Sequence, residues 1–300
     1  MRGIGASQEP VSIPIGFGTG GLLRIGSLRN RLNTLAAAAA NGITHFDTAP
    51  IYGFGESERT LGRFLCGQRS RLTLATKFGL RASPMAARLV PLQRVARRTL
   101  QMFPALRRAA TRNSGMLYRP PNFDLAAARS SLHGSLQALR TDYVDFLLAH
   151  QASATALPPE EVIGWLQDLK REGTIRGFGV ATEYDYLAPV LRQRPQLAQV
   201  VQFDSPLNRA HHLELVAGQL QITFGLVGRA IESCRGKLPV DDDMLGAVLL
   251  RAAVLANPRG IVLMQSRSPA RIELNVRVAT QSAHDELAAR VVTLLKQSTR

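Results

Sequence analysis

The sequence predicts an α/β protein of one domain, a closed (β/α)8 TIM barrel. Its 300 residues, of which 45% are hydrophobic, are enough for one large core, and such a barrel takes about 250 residues. Eight short β-like runs alternate with helix-length amphipathic segments, which is the pattern of parallel βα units. The runs cover residues 15–18, 44–47, 72–77, 143–148, 175–180, 199–203, 221–224 and 260–264. We expect residues 1–300 to form a single domain, because the sequence shows no internal domain boundary.

Cysteine usage and hydropathy limit the class of protein. Cys66 and Cys234 are far apart and have no metal-ligand spacing, so we expect reduced thiols, no disulfide framework and no metal site. No apolar core of a secretion signal follows Met1, and no apolar stretch reaches the roughly 18 residues that a membrane span needs. These features indicate a cytoplasmic protein that does not span a membrane.

An arginine-rich insertion interrupts the βα repeat at about residues 79–122, between the third strand and a helix predicted at about residues 124–140. Residues 81–119 contain nine arginines, no lysine and no acidic residue, and so carry +9 of the net charge of +15. A basic amphipathic stretch such as 88–98 could meet anionic lipid, nucleic acid or an acidic partner. Pro91 interrupts any long helix there, and no nucleic-acid motif accompanies the charge, which favours a solvated loop over a nucleic-acid interface. An acidic partner for the insertion stays open.

Polar residues end several of the predicted strands. Asp47 ends the second strand, Lys77 ends the third, His150 follows the fourth directly, and Gln202 lies within the sixth. In a parallel barrel the active site is built at the carboxyl ends of the strands. We therefore expect these four side chains to face one barrel mouth.

Motifs in the same order span most of the chain. They are GITHFDTAPIYGFGESE at residues 42–58, ATK at 75–77, YVDFLLAH at 143–150, GTIRGFGV at 173–180, VVQF at 200–203 and SRSPARIELN at 266–275. This set resembles the aldo-keto reductase family. The long segment after the third strand, together with GFGESE at residues 53–58 and SLHGSLQALR at 131–140, looks like the bacterial branch of that family that contains aldose and galactose dehydrogenases. The resemblance implies a nicotinamide-dependent oxidoreductase acting on an aldehyde, a ketone or a sugar lactol, with Asp47, Tyr52, Lys77 and His150 as its catalytic residues.

The chemistry of carbonyl reduction suits these residues. A hydride that reaches a carbonyl carbon leaves a negative oxygen, which needs a proton, and Tyr52 could supply it as general acid and take it back as general base. The ordinary pKa of a tyrosine is about 10, and a nearby cation such as Lys77, held by Asp47, lowers it. His150 would donate a hydrogen bond to the same oxygen. Each residue also has a plainer interpretation: Asp47 as a turn residue, Lys77 as a solvated charge and His150 as a polar residue of the rim.

The resemblance also implies how a nicotinamide cofactor binds. The segment 16–21 has the wrong spacing for a G-x-G-x-x-G fingerprint, so a Rossmann site is disfavoured. Members of the resembling family lay the cofactor across the barrel mouth. The matching positions here are Thr182 and Gln202 for the carboxamide, Phe224 for stacking on the ring, and Ser266, Arg267, Arg271 and Asn275 for the adenosine phosphate. For Phe224 a place in the barrel core is an equal alternative.

Two departures from the family pattern bear on the choice of cofactor. Gln265 stands where the family often has lysine, and Ala181 with Thr182 stands where it has a Ser-Asn pair. Arg267 and Arg271 could still hold a 2′-phosphate with planar guanidinium groups. We expect NADP(H), with NAD(H) as the alternative.

A second class of function is a cofactor-binding regulatory or scaffold protein that acts through its basic insertion. A metal-dependent barrel hydrolase is disfavoured, because the predicted strand ends carry no converging cluster of His, Asp and Glu.

Overall fold

The computed structural model describes residues 13–80, 120–204, 207 and 218–297. Eight parallel strands close into a barrel in sequence order, and β1 pairs with β8. The strands are β1 (Ile15–Gly18), β2 (His45–Asp47), β3 (Thr73–Phe78), β4 (Val144–His150), β5 (Ile175–Thr182), β6 (Val200–Asp204), β7 (Leu220–Phe224) and β8 (Ile261–Met264). The predicted (β/α)8 barrel is confirmed. Residues 81–119 of the predicted insertion lie outside the described residues, and the extent of the domain over residues 1–300 stays a prediction.

All eight predicted strands are present, with small differences at their ends. β4 continues to His150 and β5 to Thr182, two residues beyond the predicted limits in each case. His150 is therefore the last residue of its strand and does not follow it. Val144, Phe146 and Leu148 are apolar, which is why the sequence pattern predicted the strand. Because His150 is polar, the same pattern placed the end of the strand too early.

The described chain has nine α-helices around the barrel. They are α1 (Leu28–Ala40), α2 (Glu56–Phe64), α3 (Leu125–Leu139), α4 (Glu160–Arg171), α5 (Tyr184–Gln193), α6 (Leu226–Cys234), α7 (Asp242–Ala256), α8 (Pro269–Thr280) and α9 (Asp285–Gln297). Side-chain caps fix several helix starts: Ser27 accepts a hydrogen bond from the Asn30 amide, Asp124 from the Ala127 amide and Asp241 from the Met244 amide. None of these helices, among the residues described, is both long and apolar enough to cross a bilayer.

Alternate residues of each strand point into the barrel. Leu148, Ala181, Val200 and Ile222 form a small apolar cluster there, separate from the large core between the strands and the helices. The same alternation places Asp47, Lys77, His150, Gln202 and Phe224 on the inner side, near the carboxyl ends of their strands. The barrel is thus filled by side chains below and presents polar groups at one mouth.

The outer side of the strands carries a buried carboxylate at the other end of the barrel. Asp145 of β4, 1% exposed, accepts hydrogen bonds of 2.8 Å from the Leu74 amide of β3 and 2.8 Å from the Arg69 guanidinium. Arg176 of β5 lies 3.1 Å from the second carboxylate oxygen. Asp145 therefore ties β3, β4 and β5 together far from the polar mouth.

Gly179 allows β5 to approach β6, so substitution there should be strongly destabilising. A methyl group added at Gly179 would lie 1.8 Å from the Val200 carbonyl oxygen, and backbone cannot move aside cheaply. We expect Gly179→Ala to lower the free energy of unfolding by about 3 kcal/mol or more, measured by urea denaturation. The matched control is Gly134→Ala in α3, where a methyl group meets nothing within 4 Å and helix propensity should add about 0.5–1 kcal/mol. Equal effects would contradict this account.

Candidate active site

The structure brings the four predicted catalytic side chains together at the carboxyl end of the barrel. Asp47 ends β2, Lys77 lies one residue before the end of β3, and His150 ends β4. Tyr52 lies on the loop between β2 and α2, on a turn closed by its own amide, which donates to the Ala49 carbonyl over 3.0 Å. Parallel pairing places the ends of β2, β3 and β4 side by side, so their inward side chains share one mouth.

Lys77 and Asp47 form a buried ion pair. The Lys77 Nζ lies 2.8 Å from both carboxylate oxygens of Asp47 and 2.8 Å from the Thr48 carbonyl oxygen. Both residues are 2% exposed. Burial lowers the pKa of Lys77, but the charges of Asp47 and Tyr52 act in the opposite direction and leave that pKa above its ordinary value. Lys77 is therefore a fixed positive charge, as the sequence predicts, and the solvated-charge interpretation is wrong.

Tyr52 is held beside this cation by an unusual turn. Lys77 Nζ lies 5.1 Å from the centroid of the Tyr52 ring. The next three residues, Gly53, Phe54 and Gly55, have φ angles of 58°, 57° and 82°, in the left-handed region that favours glycine. At Gly53 a methyl group would also lie 1.9 Å from the Leu23 side chain. The turn thus depends on this Gly-x-Gly spacing after the tyrosine.

The pKa of Tyr52 does not follow the expectation. Burial of the phenol raises the pKa above its usual value of 10.0, and the Lys77 charge, which lowers it, offsets only part of that effect. The expected net lowering is wrong for the protein without ligand, because desolvation of a phenolate at this depth outweighs one cation. Tyr52 is therefore a protonated phenol at neutral pH.

His150 faces Tyr52 edge-on. The two rings are nearly perpendicular, at 88°, with centroids 6.1 Å apart. Both keep some accessible surface at the mouth. Burial of most of the imidazole and the nearby Lys77 charge lower the pKa of His150 to about 3. Its ring is neutral at physiological pH and keeps one N–H to donate.

Gln202 joins the catalytic group from β6. Its side-chain amide Nε2 donates to Asp47 Oδ2 over 3.0 Å, while its Oε1 is buried and has no hydrogen-bond partner within the described parts of the chain. A buried amide oxygen in that state is an acceptor available to a ligand. This orphaned acceptor fits an amide donor such as a nicotinamide carboxamide.

The other predicted cofactor residues are less uniform. The Thr182 hydroxyl donates to the Ala152 carbonyl over 2.7 Å, and the alternation of β5 places this side chain on the outer side of the strand. It has no proton left for a carboxamide. Phe224 ends β7 with its ring partly exposed, on the inner side with Ile222, which suits stacking at the mouth.

The segment after β8 forms the start of α8. The Ser268 side chain caps this helix, and Ser266 is linked to Ser268 by hydrogen bonds of 3.2 Å. Arg267 is exposed, Asn275 is half-buried, and Arg271 is engaged in an ion pair with Asp243 of α7. A helix N-terminus with exposed guanidinium groups suits a phosphate. Among the described residues, Arg271 is paired with an acid and Arg267 is not.

Gln265 lies beside the candidate site, and the sequence distinguishes it only as a departure from the family lysine. Its side chain lies over the glycines that follow β1: a methyl group at Gly20 would lie 3.3 Å from Gln265 Nε2 and 3.7 Å from the Tyr52 ring. Methyl groups at Gly18 and Gly21 would also contact Gln265. Gly18, Gly20 and Gly21, whose spacing does not match a dinucleotide fingerprint, therefore form a strip of backbone without side chains beside Tyr52.

Comparisons with known proteins place this barrel in a family. Residues 14–211 match the Aldo/keto reductase family, which is more than half of the chain. The aldo-keto reductase YhdN of Bacillus subtilis is 30% identical over 173 residues, which are 56% of this chain and 42% of that protein. The NADH-specific methylglyoxal reductase of Escherichia coli is 30% identical over 189 residues, which are 62% of this chain and 51% of that protein. The matches thus cover about half the length of these curated relatives.

Solved structures share the fold at lower identity. The holo form of aldo-keto reductase AKR11C1 from Bacillus halodurans superposes with a TM-score of 0.67 at 19% identity, covering 95% of this chain and 91% of that one. An aldo-keto reductase from Klebsiella pneumoniae in complex with NADPH gives 0.66 at 20% identity, covering 94% and 91%.

The family model covers residues 14–211, and the eight-stranded parallel barrel has the fold of the solved structures. The chain belongs to the aldo/keto reductase family. The resemblance in the sequence is thereby confirmed.

The Lys77–Asp47 pair should contribute more to stability than an exposed pair. Asp47→Asn leaves a buried ammonium without its counterion, and we expect the free energy of unfolding to fall by about 3–5 kcal/mol. Asp243→Asn is the matched control, since its ion pair with Arg271 is 57% and 45% exposed and should contribute less than about 1 kcal/mol. Chemical denaturation of both variants at pH 7 measures the difference. A similar small loss in both would show that the buried pair is not a stabilising constraint.

Proposed function

We propose that this protein transfers a hydride between NADP(H) and an aldehyde, a ketone or a sugar lactol, with Tyr52 as general acid/base. The observation that carries the proposal is the position of the Tyr52 phenol between the neutral His150 ring and the charged Lys77. Family membership supports oxidoreductase chemistry. Both cysteines are free, which suits the reducing cytoplasm that we propose as its location.

His150 and Tyr52 act together on the substrate oxygen. The neutral imidazole donates a hydrogen bond that orients the carbonyl and stabilises the charge that grows on its oxygen. The Tyr52 hydroxyl then gives its proton to that oxygen as the carbonyl carbon is reduced. In the oxidation direction Tyr52 takes the proton from an alcohol or a lactol.

Lys77 and Asp47 make this proton transfer reversible. The ammonium stabilises the phenolate that Tyr52 becomes after it has given its proton, and Asp47 keeps the ammonium in place through two hydrogen bonds. Because burial favours the phenol and Lys77 favours the phenolate, the two effects oppose each other at the same oxygen. Tyr52 thus starts protonated, and the Lys77 charge limits how basic its phenolate becomes.

The residues at the mouth suit a nicotinamide cofactor, which when bound supplies or accepts the hydride. Gln202 would accept from its carboxamide through the unpartnered Oε1. Ser266 and Arg267, at the start of α8, would hold phosphate, and Arg271 would do so after leaving Asp243. Phe224 would pack on the ring, and Asn275 would lie near the adenosine.

We propose small aldehydes or sugar lactols as the substrate class, on the resemblance of residues 53–58 and 131–140 to the sugar-dehydrogenase branch. The relatives differ in cofactor, because one is described as NADH-specific and a structural neighbour contains NADPH. The two guanidinium groups near α8 favour NADP(H) here.

Removal of the Tyr52 hydroxyl should abolish most turnover and preserve cofactor binding. We expect Tyr52→Phe to lower kcat by about 100- to 10,000-fold, because the proton donor is lost and little volume changes. NADPH consumption with a panel of aldehydes and sugars measures the effect, and a fluorescence titration measures NADPH binding. Tyr186→Phe, at a tyrosine that is 49% exposed, should leave both unchanged. Wild-type turnover in Tyr52→Phe would exclude Tyr52 as acid/base.

Parallel titration with NADPH and NADH tests the cofactor. We expect tighter and salt-sensitive binding of NADPH, and we expect Arg267→Ala to weaken NADPH binding by about 10- to 100-fold while NADH binding hardly changes. Arg277→Ala, in the last turn of the same helix, is the control and should affect neither. Equal or tighter binding of NADH would replace NADP(H) by NAD(H), and no binding of either would favour the scaffold function.

A further inference from the structure

A second buried carboxylate lies behind the active site. Glu58, in the first turn of α2, is 2% exposed. Burial raises the pKa of its carboxyl group, while the hydroxyls of Thr76 and Ser135 act against that effect. Within the described residues it has no ion-pair partner at contact distance. Such a buried acid lowers the stability of the fold at neutral pH unless its hydrogen bonds offset the cost of desolvation. A carboxylate at this position is therefore expected to have a specific role.

Glu58 joins α2 to the strand that carries Lys77. The Thr76 hydroxyl donates to Glu58 Oε1 over 2.7 Å. Thr76 directly precedes Lys77 in β3, and alternation along the strand places the two side chains on opposite sides. The hydrogen bond therefore holds β3 from the outside at the point where it presents the ammonium group on the inside.

The same turn of α2 holds Tyr52. The Ser57 amide donates to the Tyr52 carbonyl over 3.3 Å, and the Ser57 hydroxyl donates to the Thr19 carbonyl over 3.3 Å. Further along the helix, Gly62 lets α2 lie directly on α3, since a methyl group there would be 2.3 Å from the Ala138 carbonyl oxygen. The start of α2 is thus fixed against β1, β3 and α3, and Tyr52 is fixed to it.

We propose that Glu58 is a positioning residue whose hydrogen bond to Thr76 sets the separation between the Tyr52 phenol and the Lys77 ammonium. This inference rests on the proposed function, in which that separation governs proton transfer. A leucine at position 58 would fill similar space without burying an acid, but it could not accept the Thr76 proton. The carboxylate therefore supplies a directional link between the two halves of the proton-transfer pair.

The test compares truncation at both ends of β3. Glu58→Ala should lower kcat by about 10- to 100-fold, since a displacement of about 1 Å at a reacting group has effects of that size, and should change KM by less than about threefold. Asp145→Ala removes a buried carboxylate that binds the same strand at its other end. It should lower the melting temperature and leave kcat near the wild-type value. Equal losses of kcat in both variants would overturn the proposal.

Milder variants separate the hydrogen bond from the charge. Glu58→Gln keeps an oxygen that accepts from Thr76, so it should retain kcat within about threefold of wild type. Thr76→Val removes the donor and little volume, and it should reproduce the loss seen in Glu58→Ala. The double variant Glu58→Ala, Thr76→Val should lose little more than Glu58→Ala alone, because both substitutions remove the same Glu58–Thr76 hydrogen bond. Additive losses, or a Glu58→Gln variant as slow as Glu58→Ala, would refute the link.

Hydrogen–deuterium exchange does not depend on turnover, so it tests the role of Glu58 separately from the proposed function. Hydrogen–deuterium exchange at residues 52–58 should accelerate in Glu58→Ala and Thr76→Val and stay at the wild-type rate in Asp145→Ala. An inactive wild-type protein would refute the proposed function, and the exchange pattern would still decide whether Glu58 holds the Tyr52 turn. Unchanged exchange in Glu58→Ala would show that it does not.

Discussion

The Lys77 ammonium and the Asp47 carboxylate are buried together at the barrel mouth, and the rest of the site is arranged around that pair. A buried charge is tolerated only when its hydrogen-bonding capacity is used, and here the ammonium contacts with Asp47 and the Thr48 carbonyl are each 2.8 Å long. Gln202 completes the shell of Asp47 from the far side of the barrel. These contacts connect β2, β3 and β6 through one ion pair. The rings of Tyr52 and His150 lie close enough to feel its charges. The Lys77 charge adds to the burial that keeps His150 neutral, and it pulls the Tyr52 phenol towards its ionised form.

The two ring residues show how one cation serves two purposes. For His150, burial and the Lys77 charge act in the same direction, and the pKa falls to about 3. For Tyr52 they act in opposite directions, and the pKa stays above its ordinary value. One group is thus held in a single protonation state and the other is left able to change. In the proposed reaction, His150 would be the hydrogen-bond donor and Tyr52 the proton donor that a developing alkoxide needs.

Much of the fold, and the grouping of the candidate residues at one barrel mouth, could be predicted because the signals are local. Strand positions follow from apolar runs, and Asp47, Lys77 and His150 are informative because they are polar at strand ends. Interactions across the barrel could not be read in this way. Thr182 matched a cofactor position, yet its hydroxyl is used by the Ala152 carbonyl 30 residues away in sequence. Arg271 matched a phosphate contact, yet it pairs with Asp243. The net pKa of Tyr52 depends on the depth of burial, and Glu58 is recognisable only once α2 is seen against β3.

The Gln265 amide lies against the backbone of Gly18, Gly20 and Gly21 beside Tyr52, and this position affects the affinity of a ligand differently from its rate of binding. Any group that settles on this strip must first displace the amide, so part of its interaction energy is spent on a contact that the protein already makes. A single exposed side chain changes rotamer within picoseconds to nanoseconds, so this displacement does not slow entry. Ligands that use the strip therefore bind more weakly than their contacts alone suggest, while they arrive as fast as diffusion and the shape of the mouth allow.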